Sequence, residues 1–331
     1  MNVVYLGSGE FGIESLNGLA DSSHSLRFIV TQPPHQAGRG RKSRPTPVAC
    51  WAQSHSIPFI ETDNVNTPAL IDKITEFEPD LIVVIAFGQK IGNELINLPR
   101  LGRAINVHAS LLPKYRGAAP INWAVINGET RTGISIISLA EKMDAGDILA
   151  QAKTDIGPDE TAGRLHDRLA QMAAPLLLKT LDQIAAGTVV YTKQDHSKAT
   201  LAPKLKKSDG FLDFSNSAKD LRNRILGLWP WPGASAVYLS KKTTRSQRVT
   251  IAMAQVVDNS NPSGLPPGTL DENLNVICGR SALKITKIKP AGGPLMDFEA
   301  FVNGRQTRPG DLFMKIDDEA SFCNASQNGG P

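Results

Sequence analysis

The sequence predicts an α/β domain built on a mostly parallel sheet with helices on both faces, followed by a smaller all-β domain. Three observations carry this expectation. Short apolar runs alternate with helix-like stretches through the first half of the chain. Residues 191–207 turn polar and basic, with little periodicity, and read as a linker. Beyond them, short strand-like runs are separated by Gly/Pro-rich turns, the pattern of a small barrel or sandwich. The 331 residues leave room for two domains and a sizeable core. The expected boundaries are 1–190 for the first domain, 191–207 for the linker and 208–315 for the second domain. The tail, 316–331, is expected to be disordered.

Taken in order, the strands of the first domain are expected at Asn2–Leu6, Leu26–Thr31, Pro58–Glu61, Leu81–Phe87 and Ala104–Val107, with two more at Thr132–Leu139 and Asp147–Thr154. Thr67 is placed to cap a helix running to Phe77. The clearest helix starts near Thr161. There Leu165, Leu169, Met172, Leu176, Leu177, Leu181 and Ile184 recur at steps of three and four, and Gly187 supplies a stop. In the second domain a helix is expected near Ser217–Ile225. Strands follow at Ser235–Leu239, Arg248–Val257, Asn275–Cys278 and Leu283–Lys289.

After the first strand, Gly7, Gly9 and Gly12 have the spacing G-x-G-x-x-G of a dinucleotide-binding turn. That fold also needs an acid at the end of the second strand to bind the ribose. Here the strand ends Val30-Thr31-Gln32-Pro33-Pro34, without a carboxylate. The glycines are read as a tight strand-to-helix turn, and no nicotinamide is expected. Arg39 and Arg41 leave a 2′-phosphate, and so NADP, as the alternative at this point.

Composition narrows the function classes. Hydrophobic residues make up 41% and charged residues 21%, as in ordinary globular proteins. The longest apolar run, Leu81–Phe87, falls far short of the ~20 residues of a membrane helix. No basic segment precedes the first apolar run, so no signal peptide is expected. The three cysteines, Cys50, Cys278 and Cys323, form no CxxC pair, which favours a reducing, cytoplasmic location. The net charge of +4 is uneven: residues 208–315 hold fourteen Lys/Arg against nine Asp/Glu. A modest positive field of this kind suits a nucleic-acid partner, and equally an ordinary lysine-rich surface. Residues 37–47, AGRGRKSRPTP, add a loop with four cations and no acid, suited to neutralising phosphates.

The richest chemistry lies at Asn106–Pro120. Asn106 and His108 are two apart, so on a strand they face the same side. The carboxyl ends of parallel strands line the ligand crevice. Histidine shuttles protons near neutral pH, and an asparagine amide donates to a developing oxyanion. A further polar group must orient the ring. Met143-Asp144-Ala145-Gly146-Asp147 supplies it, and spacing leaves open whether Asp144 or Asp147 pairs with His108. A metal held by His108, Asp144 and Asp147 would barely reach three ligands, with no candidate outer partners, and none is expected.

NVHASLLPKYRGAAPINWAVINGE at 106–129, with MDAGDIL at 143–149, resembles the folate-dependent formyltransferases. TQPPHQAGRGRK at 31–42 is similar to the basic loop of those members that formylate methionyl initiator tRNA. KLKKSDGFLDF at 204–214 and LGLWPWPGASA at 226–236 are similar to their C-terminal domain, and Ala291–Gly293 and Phe301–Arg305 to its closing strands. The resemblance implies a Rossmann-like catalytic domain and an OB-like barrel. It implies transfer of the formyl group of 10-formyltetrahydrofolate, a co-substrate, to the α-amino group of methionyl initiator tRNA. It implies Asn106, His108 and Asp144 as the catalytic set, and Ser110, Leu111, Leu112 and Pro113 as the folate-contacting segment, with Phe87 and Gly88 walling the same crevice. Arg39, Arg41 and Lys42 are implied as contacts to the tRNA acceptor stem. Lys241, Lys242, Arg245 and Arg248 fit either an RNA backbone or a solvated hairpin. A monomer without membrane contact is expected. The rival readings are a formyltransferase or hydrolase acting on a small molecule, and a non-catalytic RNA-binding protein.

Overall fold

The computed structural model describes residues 1–37, 42–257 and 264–316. The expectations for Arg39, Arg41, the side chain of Lys42 and the tail from residue 317 lie outside what is described. The chain forms two compact units. One comprises Met1–Ile121, Arg131–Asp155 and Arg164–Pro203; the other comprises Asn122–Thr130, Ile156–Gly163 and the chain from Lys204.

In chain order the first half contains β1 (Asn2–Gly7), α1 (Ile13–Ala20), β2 (Ser25–Thr31), β3 (His35–Ala37), β4 (Lys42–Arg44), α2 (Pro47–Ser54), β5 (Phe59–Glu61) and α3 (Pro68–Thr75). It continues with β6 (Leu81–Ile85), α4 (Asn93–Asn97), β7 (Ile105–His108), α5 (Pro120–Ile126), β8 (Arg131–Ser138), β9 (Ile148–Asp155) and α6 (Ala162–Ala185). Seven strands form one sheet in the order β5-β2-β1-β6-β7-β8-β9. The first five run parallel, and β8 and β9 are antiparallel additions. This is the Rossmann-like mixed sheet that the strand–helix alternation predicts. β3 pairs antiparallel with β4 as a separate two-stranded sheet.

The central strands β1 and β6 are covered on both faces, which is why Val3–Leu6 and Leu81–Ile85 are uninterrupted apolar runs. On one face Val4, Leu6, Val30, Ile82 and Val84 pack with Leu70 and Ile74 of α3 and Leu95 of α4. Each such side chain contributes about 1.5–3 kcal/mol of transfer free energy. Pro68 opens α3 after Thr67, whose side chain makes no cap hydrogen bond. Along α6, Leu165, Leu169, Ala173, Leu177, Leu181 and Ile184 are buried at steps of three and four, while Pro175 lies on the exposed face.

The glycine turn has a steric cause. Tyr5, on β1, is fully buried, and its hydroxyl makes no hydrogen bond to any described protein group. A Cβ at Gly12 would lie 1.8 Å from that oxygen, and a Cβ at Gly7 would lie 2.7 Å from it. The phenol therefore occupies the space that two side chains would need. Burial also pushes its pKa far above the ordinary tyrosine range.

β6 stops at Ile85, two residues before the expected end. Ala86 (φ 47°) and Gly88 (φ 80°) turn the chain, and Gln32 Nε2 donates to the Phe87 carbonyl at 2.7 Å. The polar stretch 191–203, expected within a linker, groups with the first unit because its backbone pairs there. Arg116 N–H donates to the Thr200 carbonyl (2.8 Å) and Ala202 N–H to the Arg116 carbonyl (2.7 Å).

The second unit contains α7 (Ala218–Leu228), β10 (Ala234–Leu239), β11 (Ser246–Val257), β12 (Val276–Ile277), β13 (Ala282–Pro290), β14 (Met296–Asp297), α8 (Phe298–Arg305) and β15 (Leu312–Met314). The antiparallel order is β12-β13-β11-β10-β15. Thr269 bridges to Leu312 of β15 and Leu270 to Val276 of β12, which links the two edge strands into a nearly closed, OB-like barrel. Closure removes the open edges on which strands aggregate. Phe301–Arg305, expected among the closing strands, is helical instead. Phe298 and Phe301 face inward from α8, and Tyr238 meets the Phe301 ring edge-on at 5.1 Å. The Tyr238 hydroxyl donates to Asp311 Oδ2 at 2.6 Å, and Asp311 also accepts from the backbone N–H groups of Lys241 and Arg308. Lys241, Lys242, Arg245 and Arg248 stand exposed at and beside the β10–β11 connection.

Candidate active site

β7 lies between β6 and β8, and its carboxyl end carries Asn106 and His108. His108 is buried, and its Nε2 lies 2.8 Å from the Tyr115 carbonyl oxygen. A carbonyl only accepts, so that nitrogen carries the proton in the neutral ring. The other nitrogen, Nδ1, lies 3.7 Å from Asp144 Oδ2. Of the two carboxylates that spacing leaves open, Asp144 is therefore the one against the imidazole. Asp147 belongs to the base of the loop, where its N–H donates to Ser138 Oγ and its carbonyl accepts from Ser138 N–H.

Asp144 is held by several groups. Gly117 N–H donates to Oδ2 at 2.8 Å, and Asn106 Nδ2 makes a longer contact to Oδ1 at 3.4 Å. Its backbone is left-handed, with φ 51°. Gln194 Nε2 donates to the Asp144 and Gly146 carbonyls at 2.8 and 2.7 Å. Gln194 Oε1 accepts from the buried Arg116 guanidinium. Gly146 is required where it stands, because a Cβ there would lie 1.7 Å from the Ser138 carbonyl oxygen.

Ser110–Pro113 follows directly. Ser110 is fully buried, and its hydroxyl donates to the Lys114 carbonyl at 2.7 Å. Leu112 is buried, whereas Leu111 and Pro113 are half-buried. Two side chains from the antiparallel pair β8–β9 hold this segment. Ser135 Oγ accepts from Leu112 N–H (3.0 Å) and donates to the Ser110 carbonyl (2.7 Å). Gln151 Nε2 donates to the Leu112 carbonyl (3.0 Å) and to Ser135 Oγ (2.8 Å). With the Leu112 backbone satisfied from behind, Leu111 and Pro113 are left to offer apolar surface. Phe87 packs in the hydrophobic core beneath β6, and Gly88 sits in the turn above it, against Gln32.

The structure thus brings Asn106, His108 and Asp144 together, with Ser110–Pro113 beside them in the chain. Phe87 contributes its side chain to the core. Sequence reasoning missed Ser135, Gln151, Arg116, Gly117 and Gln194. Ser135 had a signal, a polar residue inside the apolar run Ile134–Ile137. Gln194 had none, being one polar residue among many. Among the described residues no three His, Cys, Asp or Glu side chains are grouped to hold a metal ion. Among them too, no helix is long and apolar enough to cross a membrane.

The pattern of the family described as Formyl transferase matches residues 1–181, and that of Formyl transferase, C-terminal domain, matches residues 204–306. A methionyl-tRNA formyltransferase of Citrifermentans bemidjiense is 39% identical over 320 residues, covering 96% of this chain and 98% of its own. One from Geobacter sulfurreducens is 40% identical, covering 94% and 96%. Among solved structures, an N-formyltransferase from Helicobacter canadensis, in complex with folinic acid and dTDP-3-aminofucose, superposes with a TM-score of 0.58. It covers 86% of this chain and 97% of its own at 14% identity, a likeness of fold alone. From the matched patterns and the near full-length relatives, the chain belongs to the formyl transferase family, in its methionyl-tRNA formyltransferase branch.

Proposed function

We propose that this protein transfers the formyl group of 10-formyltetrahydrofolate to the α-amino group of methionine esterified to initiator tRNA, in the cytoplasm. The observation that carries the reading is the convergence of Asn106, His108 and Asp144 at the end of β7, beside the braced Ser110–Pro113 segment. That segment fits a flat heterocycle, since Leu111 and Pro113 remain partly exposed above backbone groups that Ser135 and Gln151 already satisfy. The bound folate supplies the formyl carbon and a nitrogen leaving group. The chain's residues do the rest. The attacking amine must be neutral and must lose a proton as its bond to carbon forms, while the departing nitrogen gains one. His108 is placed to relay that proton at Nδ1, where Asp144 stabilises the charged ring. Asn106, through its amide N–H, steadies the negative charge that develops on the formyl oxygen. The first unit would carry this chemistry. The basic loop at 37–47 and the cations of the barrel would engage the RNA backbone, the enzyme acting as a monomer.

Labelled formyl donor, methionyl initiator tRNA and purified protein test this directly. Labelled tRNA should form with wild-type protein, and His108→Ala should lose at least about 100-fold in kcat. Labelling of small amines in preference to the tRNA would move the protein to a different acceptor. An unchanged rate in His108→Ala would remove the mechanism.

A further inference from the structure

We infer that Gln194, gripped by Arg116, is a positioning residue for the reaction proposed above, holding Asp144 in the left-handed backbone conformation in which its carboxylate lies against His108. The inference rests on that proposed function, but on different atoms.

Asp144 lies in the left-handed region, which aspartate enters more readily than most residues other than glycine but at a cost relative to the right-handed one. Contacts that fix the loop offset that cost. Gln194, buried and 50 positions along the chain, supplies two of them. Its two N–H groups reach the carbonyls on either side of Ala145, at 2.8 Å to Asp144 and 2.7 Å to Gly146. Those carbonyls can only accept, and the guanidinium on the other side can only donate, so the partners themselves decide which end of the amide is which.

Arg116 makes the grip firm. It is 4% exposed, and its side chain donates to Gln194 Oε1 (2.5 and 3.2 Å) and to His196 Nδ1 (2.9 Å). A buried cation on the oxygen polarises the amide and strengthens its N–H groups as donors. The next residue, Gly117, donates its N–H to Asp144 Oδ2. Asp144 is thus held by its carboxylate through Gly117 and by its carbonyl through Arg116 and Gln194, in one closed ring of contacts. Gln194 donates to the backbone of the loop and touches none of the reacting groups. Its effect should therefore appear in the rate of the chemical step. The Ser110–Pro113 segment is braced separately by Ser135 and Gln151, so folate affinity should be spared.

Gln194→Ala is the obvious variant, but it also strips a buried cation of its acceptor and risks unfolding. Gln194→Glu avoids this. It keeps the volume and the oxygens that Arg116 needs, and it replaces both N–H donors with a carboxylate facing two carbonyls. We expect its kcat to fall about 100-fold, the cost of misplacing a catalytic group by about 1 Å. Both KM values should stay within about threefold, and the variant should still unfold in one cooperative transition, which separates lost positioning from lost folding. In the Asp144→Asn background the same change should cost little more, because Gln194 acts through Asp144. A wild-type kcat for Gln194→Glu beside an inactive Asp144→Asn would overturn this inference and leave the proposed function standing. A full additional 100-fold loss in the double variant would also overturn it. A fully active Asp144→Asn would remove the catalytic reading beneath it, which is a separate failure.

Discussion

Replacing Gly12 by alanine would place a methyl carbon 1.8 Å from the Tyr5 hydroxyl oxygen and 3.2 Å from the ring carbon that bears it. Gly12 itself has φ −84° and ψ −10°, a right-handed helical conformation. Alanine adopts that conformation without strain, so the backbone itself does not oppose the change. The sign of the change therefore depends on Tyr5. A carbon–oxygen contact of 1.8 Å is far inside van der Waals separation, and the fully buried phenol has nowhere to swing. Overpacking of this kind costs about 1–3 kcal/mol and sometimes more. We expect Gly12→Ala to lose about 3 kcal/mol. Tyr5→Phe removes the obstructing atom, and because the hydroxyl is buried without a partner, that change alone should be neutral or stabilising by about 1 kcal/mol. In the Tyr5→Phe background the nearest contact of the new methyl becomes the 3.2 Å one, which a small shift relieves. The double variant should recover about 2 kcal/mol of the loss. Urea denaturation of the four proteins gives the coupling energy. Gly7→Ala is the control. Its Cβ would also meet the Ile85 backbone oxygen at 2.6 Å, so Tyr5→Phe should not rescue it. Equal losses from Gly12→Ala in the wild-type and Tyr5→Phe backgrounds would refute the reasoning and return the glycines to a ligand.

Tyr238→Phe should destabilise the barrel by about 1–3 kcal/mol in urea denaturation, because Asp311 then loses a buried donor. Burial, followed by the bond to Asp311, pushes the Tyr238 pKa up to about 12. Wild-type stability should therefore fall as pH rises from about 10, where the unfolded tyrosine ionises, to about 12, and this slope should flatten in the variant. Burial likewise pushes the Cys278 thiol up to about 12. Iodoacetamide at pH 8 should leave Cys278 unmodified until denaturant is added, as peptide mass spectrometry can read; early labelling would contradict its burial. Arg39→Ala should raise KM for the tRNA and spare folate binding, and equal loss of both would contradict the role assigned to the basic loop.

Much of the first unit is readable along the chain because its periodicities are strong. Val3–Leu6 and Leu81–Ile85 are apolar without interruption, as strands covered on both faces must be, and α6 repeats its buried leucines at helical steps. Strand ends are less readable. β6 stops short because of a left-handed Ala86, which no local residue preference announces. Phe301–Arg305, which the resemblance places among the closing strands, belongs instead to the helix at 298–305, whose Phe298 and Phe301 serve a barrel core whose geometry lies elsewhere in the sequence.

Asn106 and His108 can be placed on one side of a strand from their spacing alone, and 143–147 offers two candidate acids. Alternation along a strand is local, so sequence settles it. The choice between Asp144 and Asp147, the support of Ser110–Pro113 by Ser135 and Gln151, and the reach of Gln194 from a polar stretch all depend on contacts between residues distant in the chain. The glycine motif divides in the same way. Its spacing matches a dinucleotide turn, the missing acid after the second strand favours a plain tight turn, and the position of one buried phenol, on the strand before it, supplies a steric reason for the glycines. Local pattern determined the strongly periodic elements and which of their side chains share a face. Tertiary packing decided which of those side chains meet, because a hydrogen bond needs its partners within about 3 Å and only the folded chain brings them there.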